Sequence, residues 1–528
     1  MIIDLNEYFD QETIESDVLV IGAGAVGLVV AVALAKRGIK VALIESGGEQ
    51  FEQKAQSLNT FTLTGRNHNG INEGRARIVG GTTTLWGGQI VPFSSLDFEP
   101  RDWIFKEGWP ISKTDLEDYY QQVSDLLGLH PQYREDAAVW QTLKMSKTNI
   151  GNNFEIFLTR WLKETNLAKL FSKNINKNHN LTVYIHGVVA EFCSTLNNGF
   201  IDQATVLNFV EKPFLFKAKH IIITCGTIEA SRLMLHSASK NNQLPWASNP
   251  LVGAYFQDHL DIKIAKVIAL DKKRFHQTFD NIFLKGYKYQ PKVRMSDEFQ
   301  RESKSVNIAS SFVFESSISE QFSDAKIFVR ALLRGGMPEN LANIPKHLYT
   351  LFTVFSPMAI RYVKDRRILS LSDKGVYLTL HCEQIPNENS RITLDWHKLD
   401  FLGMPGAKLH WEVEGAEIKA MNHYCQELNT QFQESKLAYL EIDPELTALN
   451  RNLIERCWDS NHQCGGLRMA SSKEKGVVDK NLQVFGTTNF YVAGAAVFPT
   501  SSFANPTFTA MALGLRLVDN IIAQNNTL

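Results

Sequence analysis

The segment Val18–Gly27, VLVIGAGAVG, constrains this chain more than any other. Gly22, Gly24 and Gly27 follow G-x-G-x-x-G spacing directly after Asp17–Ile21, a β-branched apolar run that reads as a buried parallel strand. The residues that follow have helical spacing and end at Gly38, a C-cap candidate. Gly22 permits the tight turn, Gly24 lets the backbone approach a pyrophosphate, and Gly27 lets helix and strand pack closely. The helix N-terminus offers free N–H groups and a positive dipole end. A second strand, Lys40–Ile44, ends in Glu45, where a carboxylate suits two free ribose hydroxyls and disfavours NADP. The chain is therefore expected to hold a dinucleotide; the fingerprint alone leaves FAD and NAD both open.

Further segments follow in order: ARIVGGTTTLWGG (Ala76–Gly88), ITCGTIEASRLML (Ile223–Leu235), LVGAYFQDHL (Leu251–Leu260), EQIPNENSRITLD (Glu383–Asp395), NHQCGGLRM (Asn461–Met469) and ANPTFTAMALGLR (Ala504–Arg516). Together they resemble the glucose–methanol–choline (GMC) family of FAD-dependent alcohol oxidoreductases, in particular its bacterial branch near pyranose oxidases and sugar or polyol dehydrogenases. The resemblance runs from about residue 15 to 525 and is weakest over 130–180 and 265–380.

The resemblance implies FAD as cofactor. By position, Gly22, Gly24 and Gly27 would face its diphosphate and Glu45 the adenosine ribose. Arg75, Gly80, Gly81, Thr82 and Trp86 would line the flavin side, and Val188 would meet the adenine through its backbone. Cys225 and Gly226 would approach the dinucleotide, Gly494 and Ala495 would cover the pyrophosphate, and Asn505 and Thr507 would lie by the isoalloxazine. His462, in an H-x-x-G-x-x-x-M pattern, matches the first catalytic position and Asn505 the second. Pyranose oxidases carry a flavin-linking His where this chain has Leu85, so non-covalent FAD is expected. Many relatives carry Thr where this chain has Gly466, which suggests a looser pocket wall.

Alcohol oxidation removes an O–H proton and a carbon-bound hydride. A neutral imidazole suits the proton, because its ordinary pKa lies near working pH. His462 is expected to accept it, with Asn505 holding the same oxygen. The expected substrate is a small-molecule alcohol on a sugar, glycoside or polyol. The alternatives are a lyase or isomerase that keeps FAD for structure, and a tailoring oxidase acting on a non-sugar alcohol. The electron acceptor, O2, quinone or another, is left open, as is the oligomeric state. His259, in QDHL, reads as a fold-stabilising hydrogen-bonding residue rather than a catalyst.

The expected fold is an α/β, Rossmann-like FAD-binding domain of the GMC and p-hydroxybenzoate-hydroxylase type, with a second, α+β substrate-binding domain on a mixed or antiparallel sheet. The FAD domain is expected to be discontinuous, at 1–115, 180–255 and 466–528, with 116–179 and 256–465 forming the substrate domain and connecting segments. Parallel strands are expected at 17–21, 40–44, 183–186, 220–224 and 489–493. Gly375–Gln384 and Ser390–Asp395 read as substrate-domain strands joined by a turn around Pro386–Asn389. Helices are expected over Gly108–Leu129 with Ser112 as N-cap, over Ala416–Gln433, and over Pro506–Gln524.

Charge excludes an electrostatic case for nucleic acid: 55 basic residues face 56 acidic ones, a net charge of −1. The six cysteines lack C-x-x-C spacing, so neither a zinc site nor a disulfide framework is expected, and a Cys457–Cys464 bridge is left open. The N-terminus lacks a basic region followed by an apolar one, which points to a cytoplasmic location. Ile344–Arg367 is aromatic and aliphatic, then basic. It reads as an amphipathic helix pair or a lid, with a membrane-surface or quinone-receiving role as the alternative.

Overall fold

The structure is a computed structural model and describes residues 1–8, 12–144, 148–194, 199–317, 356–367 and 370–525. An eight-stranded sheet is built around the fingerprint. Ile2–Asp4, Leu181–Ile185, Val41–Ile44, Thr13–Ile21 and Pro213–Ile223 lie side by side and parallel, and Phe490–Val492 joins in parallel to the last of these. Gln203–Leu207 and Val188–Cys193 extend this sheet antiparallel. All five strands expected from the sequence are present. The first helix, Ala25–Lys36, is buried along almost its whole length. The C-terminal helix, Pro506–Asn525, packs on it so closely that a Cβ at Gly514 would come within 2.9 Å of Val30.

A second eight-stranded sheet is antiparallel. Its spatial order is Ala438–Ile442, Leu260–Ala269, Gly375–Cys382, Ile308–Glu315, Tyr287–Met295, Phe154–Trp161 and Gln89–Ile90, with Ile282–Leu284 paired to Tyr287–Met295. Helix Glu417–Glu434 covers one face, where the Tyr424 hydroxyl engages the Val293 carbonyl at 2.9 Å and the Ser310 hydroxyl at 2.8 Å. On the opposite face, Phe157 packs against Phe503, just before helix Pro506–Asn525, with ring centroids 5.4 Å apart.

One expectation is corrected. Arg391–Leu399 does not form a hairpin with Gly375–Cys382; it belongs to a separate three-stranded sheet with Pro405–Trp411 and Phe61–Gly65. The linker between them is pulled apart by its own side chains. Glu383 is held by Arg101 at 2.8 Å, Gln384 accepts from the Trp411 indole at 3.0 Å, and Ile392 N–H donates to Gly253 at 2.7 Å.

The region from Gly108 begins with a capping box at Ser112 and Asp115, passes through a 3₁₀ turn, and becomes helical over Glu117–Leu126. Of the aromatic and basic segment 344–367, residues 344–355 lie outside the described residues. Ser356–Asp365 is a helix, anchored by an Arg361–Asp280 ion pair of 2.8 Å. Among the described residues, no helix is long and apolar enough to cross a membrane. All six cysteines are free, including Cys457 and Cys464.

Candidate active site

A cavity of about 210 Å³ opens at the C-terminal edge of the parallel sheet. Of the fingerprint, Gly22, Gly24 and Glu45 line it. So do Arg75, Gly81, Thr82, Cys225, Gly226, Gly494, Ala495 and Thr507. Two helices, Ala25–Lys36 and Thr227–Lys240, point N-termini at it from Gly24 and Gly226, and neither has a side-chain cap. Uncapped helix N-termini leave N–H groups free for an anion.

The glycines differ in what they do. A Cβ at Gly24 would meet nothing within 4 Å, whereas one at Gly27 would fall 1.9 Å from the Gly22 carbonyl oxygen. Gly27 therefore serves close packing, and Gly24 keeps the cavity wall open. Gly22 has φ +102 and abuts the Cys225 backbone. The buried Glu45 carboxylate accepts from Ala23 N–H at 3.0 Å and Gly47 N–H at 2.9 Å, so it also braces the glycine loop. Burial raises its pKa despite those donors.

Arg75 donates to the carbonyls of Ile71 (2.7 Å) and Asn59 (3.0 Å), but its Nη1 has no partner. Burial lowers its pKa to about 9. An unfilled cationic donor, uncapped helix ends and an open glycine wall form a donor set suited to a diphosphate dinucleotide, so the residues present fit FAD.

Five other expected cofactor positions, Gly27, Gly80, Trp86, Val188 and Asn505, do not line this cavity. Gly27 packs as described, and Gly80 holds a turn at φ +104. The Trp86 indole donates to the Thr165 carbonyl at 2.7 Å. Val188 lies in a small apolar cluster with Ala55, Leu58, Phe209 and Met404.

His462 and Asn505 meet beside the cavity, at the end lined by Asn461, Gln463, Pro506 and Thr507. Asn505 Nδ2 is 2.7 Å from His462 Nε2, and His462 Nδ1 is 3.0 Å from His259 Nδ1. These contacts fix the tautomer. His259 Nε2 faces the Ser501 carbonyl at 3.3 Å, which can only accept, so Nε2 carries the hydrogen. His259 Nδ1 is then an acceptor and takes the Nδ1–H of His462. His462 Nε2 is left with its lone pair, accepting from the Asn505 amide. Desolvation, with the nearby His259, His381 and Lys292, holds the His462 pKa well below its ordinary value, so the ring is neutral at neutral pH.

The sequence reading missed the residue that positions this ring. Asp258 Oδ1 accepts from the backbone N–H groups of His259 (2.7 Å), Ser460 (3.2 Å) and His462 (3.0 Å). Its Oδ2 accepts from His68 Nε2 at 3.0 Å. The QDH segment is zipped to the His462 loop by paired backbone bonds between Gln257 and Cys464 of 2.9 and 2.8 Å. Asn461 supplies the turn before His462 with φ +59, a conformation Asn tolerates better than most residues. The only sequence signal was the adjacency of Asp258 to His259, which carries no distance information.

His68, Asp258 and Asp459 come within metal-ligand range of one another. Asp459 already accepts from Asn69 and Gly70 N–H at 2.8 Å each, so the cluster ties the loop at 68–70 to the His462 loop.

One smaller expectation changes. Gly466 does not loosen a wall: at φ +84, a Cβ there would lie 2.5 Å from Ser231 Oγ. Nearby, the Arg468 guanidinium lies 3.7 Å over the Tyr255 ring and donates to the Lys475 carbonyl at 2.8 Å.

Comparison with known proteins gives the family and the fold. The family description "FAD dependent oxidoreductase" matches residues 17–171, and "GMC oxidoreductase" matches 386–514. The chain is 22% identical to a 2-methyl-1,2-propanediol dehydrogenase of Mycolicibacterium austroafricanum, over 96% of this chain and 95% of that protein. It is 27% identical to the fructose dehydrogenase large subunit of Gluconobacter japonicus, over 30% of this chain and 27% of that one. A fungal aryl-alcohol oxidase has the same fold, with a TM-score of 0.57 at 14% identity, over 96% of this chain and 99% of its own. FAD is the cofactor and alcohol oxidation the reaction class: the chain belongs to the GMC family of FAD-dependent oxidoreductases.

Proposed function

We propose that the protein oxidises a hydroxyl of a sugar, glycoside or polyol, with His462 taking the hydroxyl proton. One observation carries this reading: the Ser501–His259–His462–Asn505 hydrogen-bond chain leaves a neutral imidazole with its Nε2 lone pair presented beside the dinucleotide cavity. The substrate oxygen approaches His462 Nε2 and donates its proton there, and the Asn505 amide turns to the same oxygen. The imidazolium that forms is stabilised by Asp261, whose negative charge bears on the His462 ring. FAD, when bound, supplies the hydride acceptor.

The uncapped helix ends at Gly24 and Gly226 and the Arg75 guanidinium would hold the diphosphate, which moves Arg75 from the flavin side where the resemblance put it; Glu45 would stand at the ribose. The parallel sheet carries the dinucleotide and the antiparallel sheet the substrate. A carbohydrate or polyol substrate is supported by relatives named as acting on fructose and on 2-methyl-1,2-propanediol.

The test is anaerobic mixing of the FAD-loaded protein with a panel of sugars, glycosides and polyols while flavin absorbance is followed. Bleaching by polyhydroxylated compounds supports the proposal, and admission of air then separates oxidase from dehydrogenase. Turnover of an alcohol without bleaching would overturn it in favour of a lyase or isomerase.

A further inference from the structure

One face of the antiparallel sheet carries a row of polar groups that the alcohol chemistry does not use. Lys292 lies directly across from Phe157 on the neighbouring strand, and Arg294, two residues on, lies across from Ala309. Ala309 faces His381, and His381 faces Asp261. Side chains alternate along strands, so Phe157, Lys292, Ser311, His381 and Asp261 share one face. The contacts agree: Ser311 Oγ is 2.9 Å from His381 Nε2, and His381 Nδ1 is 3.0 Å from Asp261.

This face belongs to the active site. Phe157 packs against Phe503, two residues before Asn505, with ring centroids 5.4 Å apart. The Lys292 charge is near enough to bear on both His381 and His462.

Lys292 differs from every other cation on its strand. Lys288 lies 3.8 Å over the Trp161 ring, and Arg294 pairs with Glu155 at 2.9 Å. Lys292 is only 7% exposed, yet its ammonium makes no hydrogen bond among the described residues and is not among the polar atoms sealed from solvent. Asp261 is the carboxylate whose charge favours the ammonium; its Oδ2 is taken by His381, and its buried Oδ1 makes no hydrogen bond to Lys292. Burial lowers the Lys292 pKa to about 8, as expected for a charge without a bonded counter-ion. A buried ammonium in this state lacks acceptor oxygens and a bonded counter-ion. A neutral hydroxyl supplies only the first. A carboxylate supplies both.

We propose that Lys292 is a specificity-determining residue that binds a carboxylate of the substrate, so that the preferred alcohol is a hydroxy acid of the sugar series rather than a neutral sugar. This rests on the alcohol-oxidation reading. The carboxylate lies along the sheet face toward Phe157 and Ser311, and the reacting carbinol lies at His462.

Two measurements on the FAD-loaded protein test it. The first compares anaerobic flavin reduction by neutral and acidic partners of one skeleton: glucose with gluconate and glucuronate, and glycerol with glycerate. The acids are expected to half-saturate at roughly ten- to hundredfold lower concentration. Lys292→Met should abolish that preference, read as the ratio of half-saturating concentrations of the acidic and neutral partners so that any common effect on His462 cancels, and Lys292→Arg should keep part of it. Equal saturation by neutral and acidic partners in the parent protein would overturn the proposal. The second measurement is calorimetric binding of glutarate, which has no hydroxyl to oxidise. Glutarate should bind the parent protein and bind Lys292→Met roughly tenfold more weakly or worse. Absence of glutarate binding to the parent overturns the carboxylate site. Glutarate binding without bleaching by any alcohol would instead leave the site standing and sink the alcohol-oxidation reading.

Discussion

His462 Nε2 and Asn505 Nδ2 lie 2.7 Å apart, although 43 residues separate them in the chain. The amide donates and the imidazole accepts, so the lone pair that would take a substrate proton is held in place before substrate arrives. Replacing His462 with Ala should slow flavin reduction by roughly a hundred- to ten-thousandfold, the range for loss of a general base. Asn505→Ala should cost less, about ten- to a hundredfold, because it removes positioning and one hydrogen bond. Stopped-flow reduction under anaerobic conditions measures both. Near-normal reduction in His462→Ala would remove the base assignment.

His259 acts on the same ring from the other side. Its Nδ1 accepts the Nδ1–H of His462, whose pKa is lowered chiefly by burial. A histidine with a lowered pKa stays neutral through neutral pH and loses base function only as pH falls through that lowered value. The rate of flavin reduction should therefore be flat around neutrality, with its acid limb well below pH 6.5. In His259→Leu the His462 Nδ1–H loses its acceptor in a buried site, so the imidazolium is less favoured: the acid limb should move to still lower pH, and the plateau should fall. An unmoved limb would show that His259 does not tune His462. The pH profile distinguishes this from general loss of structure, which would lower the plateau alone.

The elements of the parallel sheet were legible because local rules govern them. Glycine spacing, a β-branched run and a carboxylate at the next strand end all lie within Asp17–Glu45. His462 and Asn505 were legible only through resemblance, since nothing near either residue states that they meet. Asp258 was invisible for the same reason: its importance comes from three backbone N–H groups, two of them about 200 positions away. The expected hairpin at 375–395 misled because alternation identifies strands but not their partners. The pairing was decided by Gly253, Thr62 and Trp411, far from it in sequence.

Arg101 and Glu383 form a buried, two-pronged ion pair with both bonds at 2.8 Å. Glu383 also accepts from Asn307 N–H at 2.9 Å and Ser502 N–H at 3.3 Å, so the pair braces the loop that leads to Asn505. Arg101→Met would strand a buried carboxylate. It should destabilise the protein by about 3–5 kcal/mol, read as a lowered midpoint in urea or thermal unfolding. Adding Glu383→Leu should recover part of that loss, because no unpaired charge then remains. A double variant no more stable than Arg101→Met would locate the cost in lost packing rather than in the stranded charge.

The two fingerprint glycines give a last prediction, in which binding and folding separate. A Cβ at Gly27 would lie 1.9 Å from the Gly22 carbonyl oxygen, so Gly27→Ala must displace the first helix from its strand. Thermal stability should fall by an amount typical of core overpacking, about 1–3 kcal/mol, in the presence or absence of FAD. A Cβ at Gly24 would meet no protein atom within 4 Å, and Gly24 lines the cavity. Gly24→Ala should leave the apoprotein's unfolding midpoint nearly unchanged. It should weaken FAD binding, because the methyl group would occupy space at the uncapped helix end where the diphosphate is expected. Flavin fluorescence titration and apoprotein melting, performed on both variants, check this directly. Unchanged FAD affinity in Gly24→Ala would mean that the diphosphate does not approach the backbone there.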